Sequence, residues 1–220
     1  MNKRTVFLIC LAIGLLPVIY LVVIWKDIPA TIPTHWGLGN VPDAYGDKSN
    51  LILILLIPVV VASLLALLML NLDKIDPKKG KNIPAVMRNK LALSISVFMT
   101  AIAAYILYIT KSETHKMGNT IFLLLGLFFA FLGNIMYSIK QNYFVGIRLP
   151  WTLENEENWN RTNRIMSILF FISGIVIAIA ALVLPSVPVM IITFGSIFAA
   201  VIYSIIFSYR LYRKQQAGKI

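Results

Sequence analysis

Long apolar stretches without charge alternate along the chain with short polar segments. All 20 Lys and Arg residues and all 9 Asp and Glu residues lie outside five uncharged windows, at residues 5–25, 49–72, 91–110, 117–139 and 165–209. A helix needs about 20 apolar residues to cross the roughly 30 Å hydrocarbon core of a bilayer. Each of the first four windows therefore predicts one membrane-spanning helix.

The fifth window is too long for a single helix. It has 45 residues, and the sequence PSVP interrupts it near its middle, at residues 185–188. Proline lacks a backbone donor and disfavours helix in the residue before it, so this window predicts two spans. The first window predicts an uncleaved helix, because its apolar run is longer than the roughly 7 to 15 residues of a signal peptide.

Composition agrees with the pattern. Hydrophobic residues make up 59% of the chain and charged residues 13%, and the mean hydropathy is +0.81, whereas a soluble domain carries about a quarter charged residues. We therefore predict an all-α, polytopic membrane protein with six transmembrane helices. One cysteine and two histidines do not suit a disulfide or a zinc site, so neither a metal nor a cofactor is predicted.

The orientation follows from where Lys and Arg lie. Residues 1–4, 73–90, 140–164 and 210–220 hold 2, 6, 4 and 4 of them, which is 16 of 20, and residues 26–48, 111–116 and 185–188 hold the remaining 4. The positive-inside rule then predicts that both termini are cytoplasmic. The net charge of +11 is explained by helix ends that face anionic lipids, and no nucleic-acid partner is predicted.

The spans themselves offer packing residues rather than catalytic groups. Because they hold no ionisable residue other than cysteine and tyrosine, and the chain lacks the HExxH and GxSxG motifs, pumping and enzyme catalysis are disfavoured. Asn134 either makes an interhelical hydrogen bond or lines a substrate path. Small residues at helical spacing predict closely packed helices: Ala92, Ser96 and Thr100; Gly126, Ala130 and Gly133; Gly174, Ala178 and Ala181; and Ser196, Ala200, Ser204 and Ser208.

The outer loop at residues 27–50 is rich in proline, glycine and aromatic residues, which predicts an irregular, turn-rich segment. It holds three candidate binding residues, His35, Trp36 and Asp43, although a loop capped by interfacial aromatics is an equal alternative. The order of Pro33, His35, Trp36, Pro42 and Asp43 resembles a domain of unknown function. Asn40 stands where that domain usually has glycine, and asparagine also tolerates a left-handed turn.

The inner segment, residues 142–164, carries a more specific pattern. Its spaced residues are Asn142, Gly146, Ile147, Arg148, Pro150, Trp151, Thr152, Leu153, Trp159, Thr162 and Arg164. This pattern resembles the signature of the SdpI family, bacterial membrane proteins that give immunity to the sporulation-delaying peptide toxin. Asn163 departs from the histidine expected there, which puts in doubt any role that needs a titratable group.

Physical reasoning treats the inner segment as a built site. Gly146 permits a turn, Pro150 ends extended chain, and Thr152 is predicted to cap a helix whose first turns carry glutamates. Within that helix Glu157 and Arg161 are four residues apart, which favours an ion pair.

The remaining side chains of the segment suggest contacts outside it. Trp151 and Trp159 suit the interfacial aromatic belt, and Arg148, without a charged neighbour within five residues, needs a phosphate, a helix C-terminus, a folded-back glutamate or a ligand. The segment is a brace, a partner-binding surface or, least favoured, a catalytic site. Its candidate binding residues are Asn142, Gly146, Arg148, Pro150, Trp151, Trp159 and Arg164.

The resemblance implies a non-enzymatic immunity protein of the bacterial plasma membrane, which binds or blocks a secreted peptide toxin. One alternative is a signal transducer that recruits a cytoplasmic regulator to a basic inner face, formed by Lys74, Lys78, Lys79, Lys81 and Arg88. Another is a transporter or enzyme acting on a small molecule or lipid. The resemblance also divides the chain into a helical hairpin with the outer loop, residues 1–90, and a four-helix membrane domain, residues 91–220.

Overall fold

The computed structural model describes residues 1–37, 39–76, 82–112 and 117–218, most of which are helical. The helices are α1 (Lys3–Ile24), α2 (Asn50–Leu70), α3 (Leu72–Ile75), α4 (Ala85–Lys111), α5 (Thr120–Met136), α6 (Pro150–Glu154), α7 (Glu156–Val183) and α8 (Ser186–Ala217). A short 3-10 turn (Trp25–Asp27) follows α1, and two strands, β1 (Thr31–Trp36) and β2 (Pro42–Asp47), lie between α1 and α2.

Five helices, α1, α2, α4, α7 and α8, are long and apolar enough to cross a bilayer, and the chain is a multi-pass cell-membrane protein. The sixth apolar helix, α5, has 17 residues, which at 1.5 Å per residue spans about 26 Å and is slightly shorter than the hydrocarbon core. The predicted interruption of the fifth window is confirmed, because α7 ends at Val183 and α8 begins at Ser186.

The long helices form two groups of three. Helices α1, α2 and α4 pack together, as do α5, α7 and α8, and α4 and α5 make the smaller contact between the groups. Both groups contribute to one buried cluster, in which Val6 and Leu91 belong to the first group and Met136 and Phe170 to the second. The predicted domain boundary after residue 90 falls inside α4, and that division stays a prediction.

Helices α5 and α7 approach each other closely, and small residues face each other where they meet. A Cβ added to Gly126 would lie 2.7 Å from the backbone oxygen of Gly174, and one added to Gly133 would lie 2.5 Å from the backbone oxygen of Ser167. The predicted role of these small residues in close packing is therefore confirmed. The interhelical hydrogen bond suggested for Asn134 is not formed within the described residues, because this side chain lies exposed on α5.

The outer loop is more regular than its composition predicts. Strands β1 and β2 form an antiparallel hairpin with register irregularities on either side of His35, so the all-α prediction omits a small sheet. Asn40 has a φ of +61°, which confirms the left-handed turn predicted there. Pro33, Pro42 and Gly46 within the strands concealed them, since proline and glycine usually interrupt a ladder.

Hydrogen bonds join the hairpin to the α4–α5 connection, and that connection to the one between α7 and α8. Asn40 Nδ2 donates to the Gly118 carbonyl at 2.5 Å, and its backbone carbonyl accepts from Met117 N at 3.1 Å. Asn119 Nδ2 donates to the Leu184 carbonyl at 2.7 Å. The connections α1–α2, α4–α5 and α7–α8 therefore meet at one end of the bundle, which we call the hairpin end.

The other end, which we call the terminal end, holds the N-terminus, the last turns of α8 and the inner segment. Asp73 Oδ1 lies 2.6 Å from Lys3 Nζ and 2.7 Å from Arg88 Nη1. The hydrogen bond from Lys3 and the neighbouring charge of Arg88 lower the pKa of Asp73 to about 2. Arg88 was predicted to belong to an exposed basic face, and that prediction is wrong: the residue is 8% exposed and is a buried ion-pair partner of Asp73.

Candidate functional site: the inner segment at the terminal end

The inner segment consists of a loop, the short helix α6 and the first turns of α7. The predicted cap is wrong, because Asn155 and not Thr152 caps α7: Asn155 Oδ1 accepts from Asn158 N at 2.8 Å. Thr152 instead lies in α6, where its Oγ1 accepts from Leu149 N and donates to the Ile147 carbonyl, both at 2.9 Å. Pro150 occupies the first turn of α6, where its missing donor costs nothing.

Asn142 organises the loop from within. It is fully buried, its Oδ1 accepts from Phe144 N at 2.7 Å and Val145 N at 2.8 Å, and its Nδ2 donates to the carbonyls of Lys140 and Val145. One amide side chain thus replaces several backbone hydrogen bonds that the loop lacks. This geometry makes Asn142 a structural residue of the loop rather than a group exposed to a ligand.

Gly146 and Asn163 form the contact that fixes the loop on α7. Asn163 Oδ1 accepts from Ile147 N at 2.7 Å, and Asn163 Nδ2 donates to the Trp159 carbonyl at 3.1 Å. Gly146 has a φ of +119°, a region that side chains rarely adopt, and a Cβ there would collide with Asn163 Oδ1. The neutral amide at position 163 therefore has a defined structural function that needs no titration.

Trp151 attaches α6 to α8. Its indole Nε1 donates to Ser208 Oγ at 2.6 Å, and its ring lies 5.6 Å from that of Tyr209 and 5.7 Å from that of Tyr212. Ser208 Oγ in turn donates to Asn158 Oδ1 at 3.0 Å. The loop and α6 are consequently held by α8 as well as by α7.

The two tryptophans of the segment differ in environment. Trp159 is fully buried, and its Nε1 donates to the Ile139 carbonyl at 3.2 Å, so its predicted place in the interfacial belt is wrong. Trp159 is buried because it lies on the face of α7 that packs against the loop, next to Gly146. Trp151 is half-buried against aromatic residues of α8.

The exposed charged residues of the segment are three arginines and three glutamates. Arg148 is exposed, and its Nη1 donates to the Tyr143 carbonyl at 2.7 Å, which holds one edge of the guanidinium. Arg164 is exposed, its Nε donates to Tyr137 Oη, and its guanidinium carbon lies 4.5 Å from the centre of the Tyr137 ring. The predicted ion pair of Glu157 is confirmed, with Arg161 Nη2 at 2.9 Å from Glu157 Oε1.

Several residues that organise this site lack a recognisable sequence signal. Gln141 Nε2 donates to the carbonyls of Thr152 and Leu153 at 2.9 Å, and Asn82 Nδ2 donates to the Gln141 carbonyl at 2.8 Å. In the sequence, Gln141 and Asn82 each follow a lysine, and polar residues beside charged ones are typical of an exposed surface. The sequence pattern did not single out Gln141 or Asn82. It did single out Ser208, but as a packing residue of α8 and not as the hydrogen-bond partner of Trp151.

The outer candidates lie far along the chain from this site, at the hairpin end. His35 Nδ1 lies 2.6 Å from Asp43 Oδ1, across the two strands, and both side chains are exposed. Trp36 is half-buried on β1. The ten predicted site residues therefore do not form one site: His35, Trp36 and Asp43 belong to the hairpin, and the other seven to the inner segment.

Comparison with known proteins gives matches to both regions. Residues 138–208 match the model of the SdpI/YfhL protein family, and residues 12–62 match a domain of unknown function, DUF1648. The resemblance to the SdpI family is confirmed. The chain is also similar to the Immunity protein SdpI of Bacillus subtilis (strain 168), with 27% identity over 220 residues and 100% of each chain covered. No solved structure matches it significantly.

Proposed function

We propose that this chain is a membrane immunity protein, which protects the cell from a secreted antimicrobial peptide toxin by binding or blocking the toxin at the membrane. The observation that carries the proposal is the similarity to an immunity protein across 100% of both chains. A full-length match includes the hairpin and the inner segment together, so a shared role does not depend on one motif alone.

The proposal includes six spans with both termini in the cytoplasm. Helix α5 is apolar along its length, and hydrogen bonds group the connections into two sets at opposite ends of the bundle. Of the Lys and Arg residues within the described ranges, 12 belong to the terminal-end set and 3 to the hairpin-end set, which supports a cytoplasmic location of the terminal end. The hairpin then faces outwards, towards an arriving toxin.

Two exposed surfaces are proposed to take part. At the hairpin end, the His35–Asp43 pair presents a polar patch. At the terminal end, Arg148 is oriented by the Tyr143 carbonyl and keeps guanidinium donors for a carboxylate or phosphate. We assign positioning roles to Asn142, Gly146 and Trp159, because they fix the backbone of the loop that carries Arg148.

Binding is favoured over transport or catalysis by the character of the spans. The five uncharged windows contain no Asp, Glu, His, Lys or Arg, and proton-coupled transporters and intramembrane enzymes commonly rely on such groups. We therefore propose that protection requires neither toxin export nor toxin cleavage.

Recruitment of a cytoplasmic regulator stays a prediction. Lys74 is exposed and free to contribute to a basic surface. Arg88 is occupied by Asp73, and Lys78, Lys79 and Lys81 lie outside the described residues. A docking surface at this end therefore depends on fewer cations than the sequence suggests.

The test is expression of the chain in a toxin-sensitive bacterium that lacks its own immunity protein. We expect survival at toxin concentrations that kill vector-only cells, with intact toxin remaining in the medium at the level of the vector control. Disappearance of intact toxin would instead indicate an enzyme. Killing of cells that demonstrably carry the protein in their membrane would refute the immunity role.

A further inference from the structure

A cleft runs along the edge where α5 and α7 meet, near the terminal end of the bundle. Its first part has a volume of about 280 Å3 and is lined by Tyr137, Ser138, Ile139, Lys140, Asn160, Asn163 and Arg164. Its second part, of about 330 Å3, continues from Tyr137 along Gly133, Asn134, Ser167, Ile168 and Phe171. Because Tyr137 lines both parts, they adjoin along this edge and give the cleft a cationic end and an apolar end.

The cationic end carries two positive charges without a matching carboxylate. Neither Lys140 nor Arg164 forms an ion pair within the described ranges, and no Asp or Glu lines the cleft. The nearest acid on α7, Glu157, is engaged by Arg161 at 2.9 Å and by Gln215 Nε2 at 3.2 Å. An anionic ligand would therefore meet two uncompensated cations.

Tyr137 prepares Arg164 for such a ligand. The guanidinium stacks on the Tyr137 ring at 4.5 Å, and its Nε donates to Tyr137 Oη. The terminal nitrogens remain available, and a guanidinium held in this way presents paired donors that match phosphate oxygens. Asn160 is exposed in the same part of the cleft and adds an amide donor.

The two cations of the cleft lie at the boundary between apolar and charged sequence. Lys140 is the first charged residue after the uncharged window 117–139, and Arg164 is the last before the window 165–209. Both cations therefore lie where the hydrocarbon ends and lipid phosphates begin. The apolar end continues into the hydrocarbon region, where Ile168 is 45% and Phe171 43% exposed.

We propose that this cleft binds an anionic phospholipid. Arg164 and Lys140 hold the phosphate, Asn160 donates to the phosphate or to a headgroup hydroxyl, and an acyl chain lies over Gly133, Ile168 and Phe171. A zwitterionic choline headgroup is disfavoured, because its own cation would approach Lys140 and Arg164. This inference does not depend on the immunity role.

The experiment measures lipid binding by native mass spectrometry of the detergent-purified full chain, titrated with dioleoyl phosphatidylglycerol or dioleoyl phosphatidylcholine. We expect the wild type to favour phosphatidylglycerol by about 10-fold or more, since both lipids offer a phosphate but only choline adds a cation that repels Lys140 and Arg164. Lys140→Gln and Arg164→Gln should each remove most of the preference. Arg213→Gln is the matched control, because it removes a cation at the same end of the bundle from an exposed site on α8 outside the cleft.

Each outcome decides the proposal. Equal binding of the two lipids, or an equal loss of preference in Arg213→Gln, overturns it, since the second result indicates an effect of overall charge. Displacement of the phosphatidylglycerol by inorganic phosphate at similar concentration overturns the assignment to a lipid. Lys140→Gln keeps the test valid if Arg164→Gln misfolds, because the described contacts of Lys140 involve only its backbone.

Discussion

The indole Nε1 of Trp151 donates a 2.6 Å hydrogen bond to Ser208 Oγ, 57 residues away in sequence. This bond connects the middle of the inner segment to α8, next to a cluster of two tyrosines. The segment is therefore part of the packed bundle and not a loosely attached loop.

Two substitutions of Trp151 should distinguish the contribution of its hydrogen bond from that of its ring contacts. Trp151→Phe keeps an aromatic ring beside Tyr212 but removes the donor, and we expect a loss of about 1 kcal/mol in the free energy of unfolding. Trp151→Ala also loses the ring contacts and should cost roughly 2–3 kcal/mol. Thermal unfolding in detergent measures both. Equal effects of the two substitutions would contradict a contribution from ring packing.

Arg148 is expected to matter for protection more than for stability. We predict that Arg148→Ala abolishes protection while the protein accumulates normally in the membrane, because the side chain is exposed and makes one hydrogen bond to the Tyr143 carbonyl. Arg148→Lys should also fail, since an ammonium does not reproduce the planar donors of arginine. Toxin survival assays, with membrane levels measured by immunoblot, provide the readout.

Glu156→Ala is the control for this charge change, since Glu156 is exposed in the first turn of α7 and we expect only a mild effect. If Arg148→Ala cells survive as well as wild type, the inner segment is a brace.

His35→Ala tests the hairpin in the same assay, and reduced protection is expected because a toxin from outside meets the hairpin first.

The Gly146 position should not accept a side chain. Gly146→Ala places a Cβ against Asn163 Oδ1 and strains a backbone whose φ is +119°, and the strain alone costs roughly 1–3 kcal/mol. We expect a lower unfolding temperature and less protein in the membrane. The matched control is Gly195→Ala on α8, where no atom lies within 4 Å of the added Cβ and helix propensity favours alanine. A similar loss in both variants would refute the predicted collision.

Asp73 should make the stability of the protein depend on acid pH. Its pKa is lowered from 3.8 to about 2 by Lys3 and Arg88, so the folded state favours the carboxylate. The stabilisation is present above pH about 4 and is lost as the pH falls from there towards 2. Unfolding temperatures measured in detergent between pH 7 and pH 2 report this loss.

The variant Asp73→Asn should remove that component of the acid response and lower stability at neutral pH, because the buried Arg88 loses its counter-ion. Asp27→Asn is the comparison, since Asp27 pairs with Lys111 at 3.6 Å between largely exposed groups and such pairs contribute little. An unchanged acid response in Asp73→Asn would show that other groups cause it.

The orientation can be tested by labelling with a thiol reagent that does not cross the membrane. In a Cys10→Ala background, we expect Ala44→Cys on β2 to react in intact cells and Gln216→Cys near the end of α8 to react only after lysis. Both positions are exposed. The reverse pattern would overturn the predicted orientation. Positions 38 and 80, which the predicted topology also separates, lie outside the described residues.

Features that depend on neighbouring residues could be predicted from the sequence. The uncharged windows mark the long helices because every helix in lipid must satisfy its backbone internally and present apolar side chains. Residues 185–188 mark the break between α7 and α8, and the Glu157–Arg161 pair follows from helical spacing. The left-handed turn at Asn40 follows from the limited set of residues that accept a positive φ.

Only the tertiary structure decided which polar and aromatic residues face inwards. Trp151 and Trp159 were both predicted to lie in the interfacial belt, but Trp159 is buried because the loop around Gly146 folds over its face of α7. Asn163 could not be recognised as the acceptor for Ile147 N, 16 residues earlier, and Arg88 could not be recognised as the partner of Asp73. These partners are brought together by helix packing, and a hydrogen bond between distant residues leaves no periodic signal in the chain.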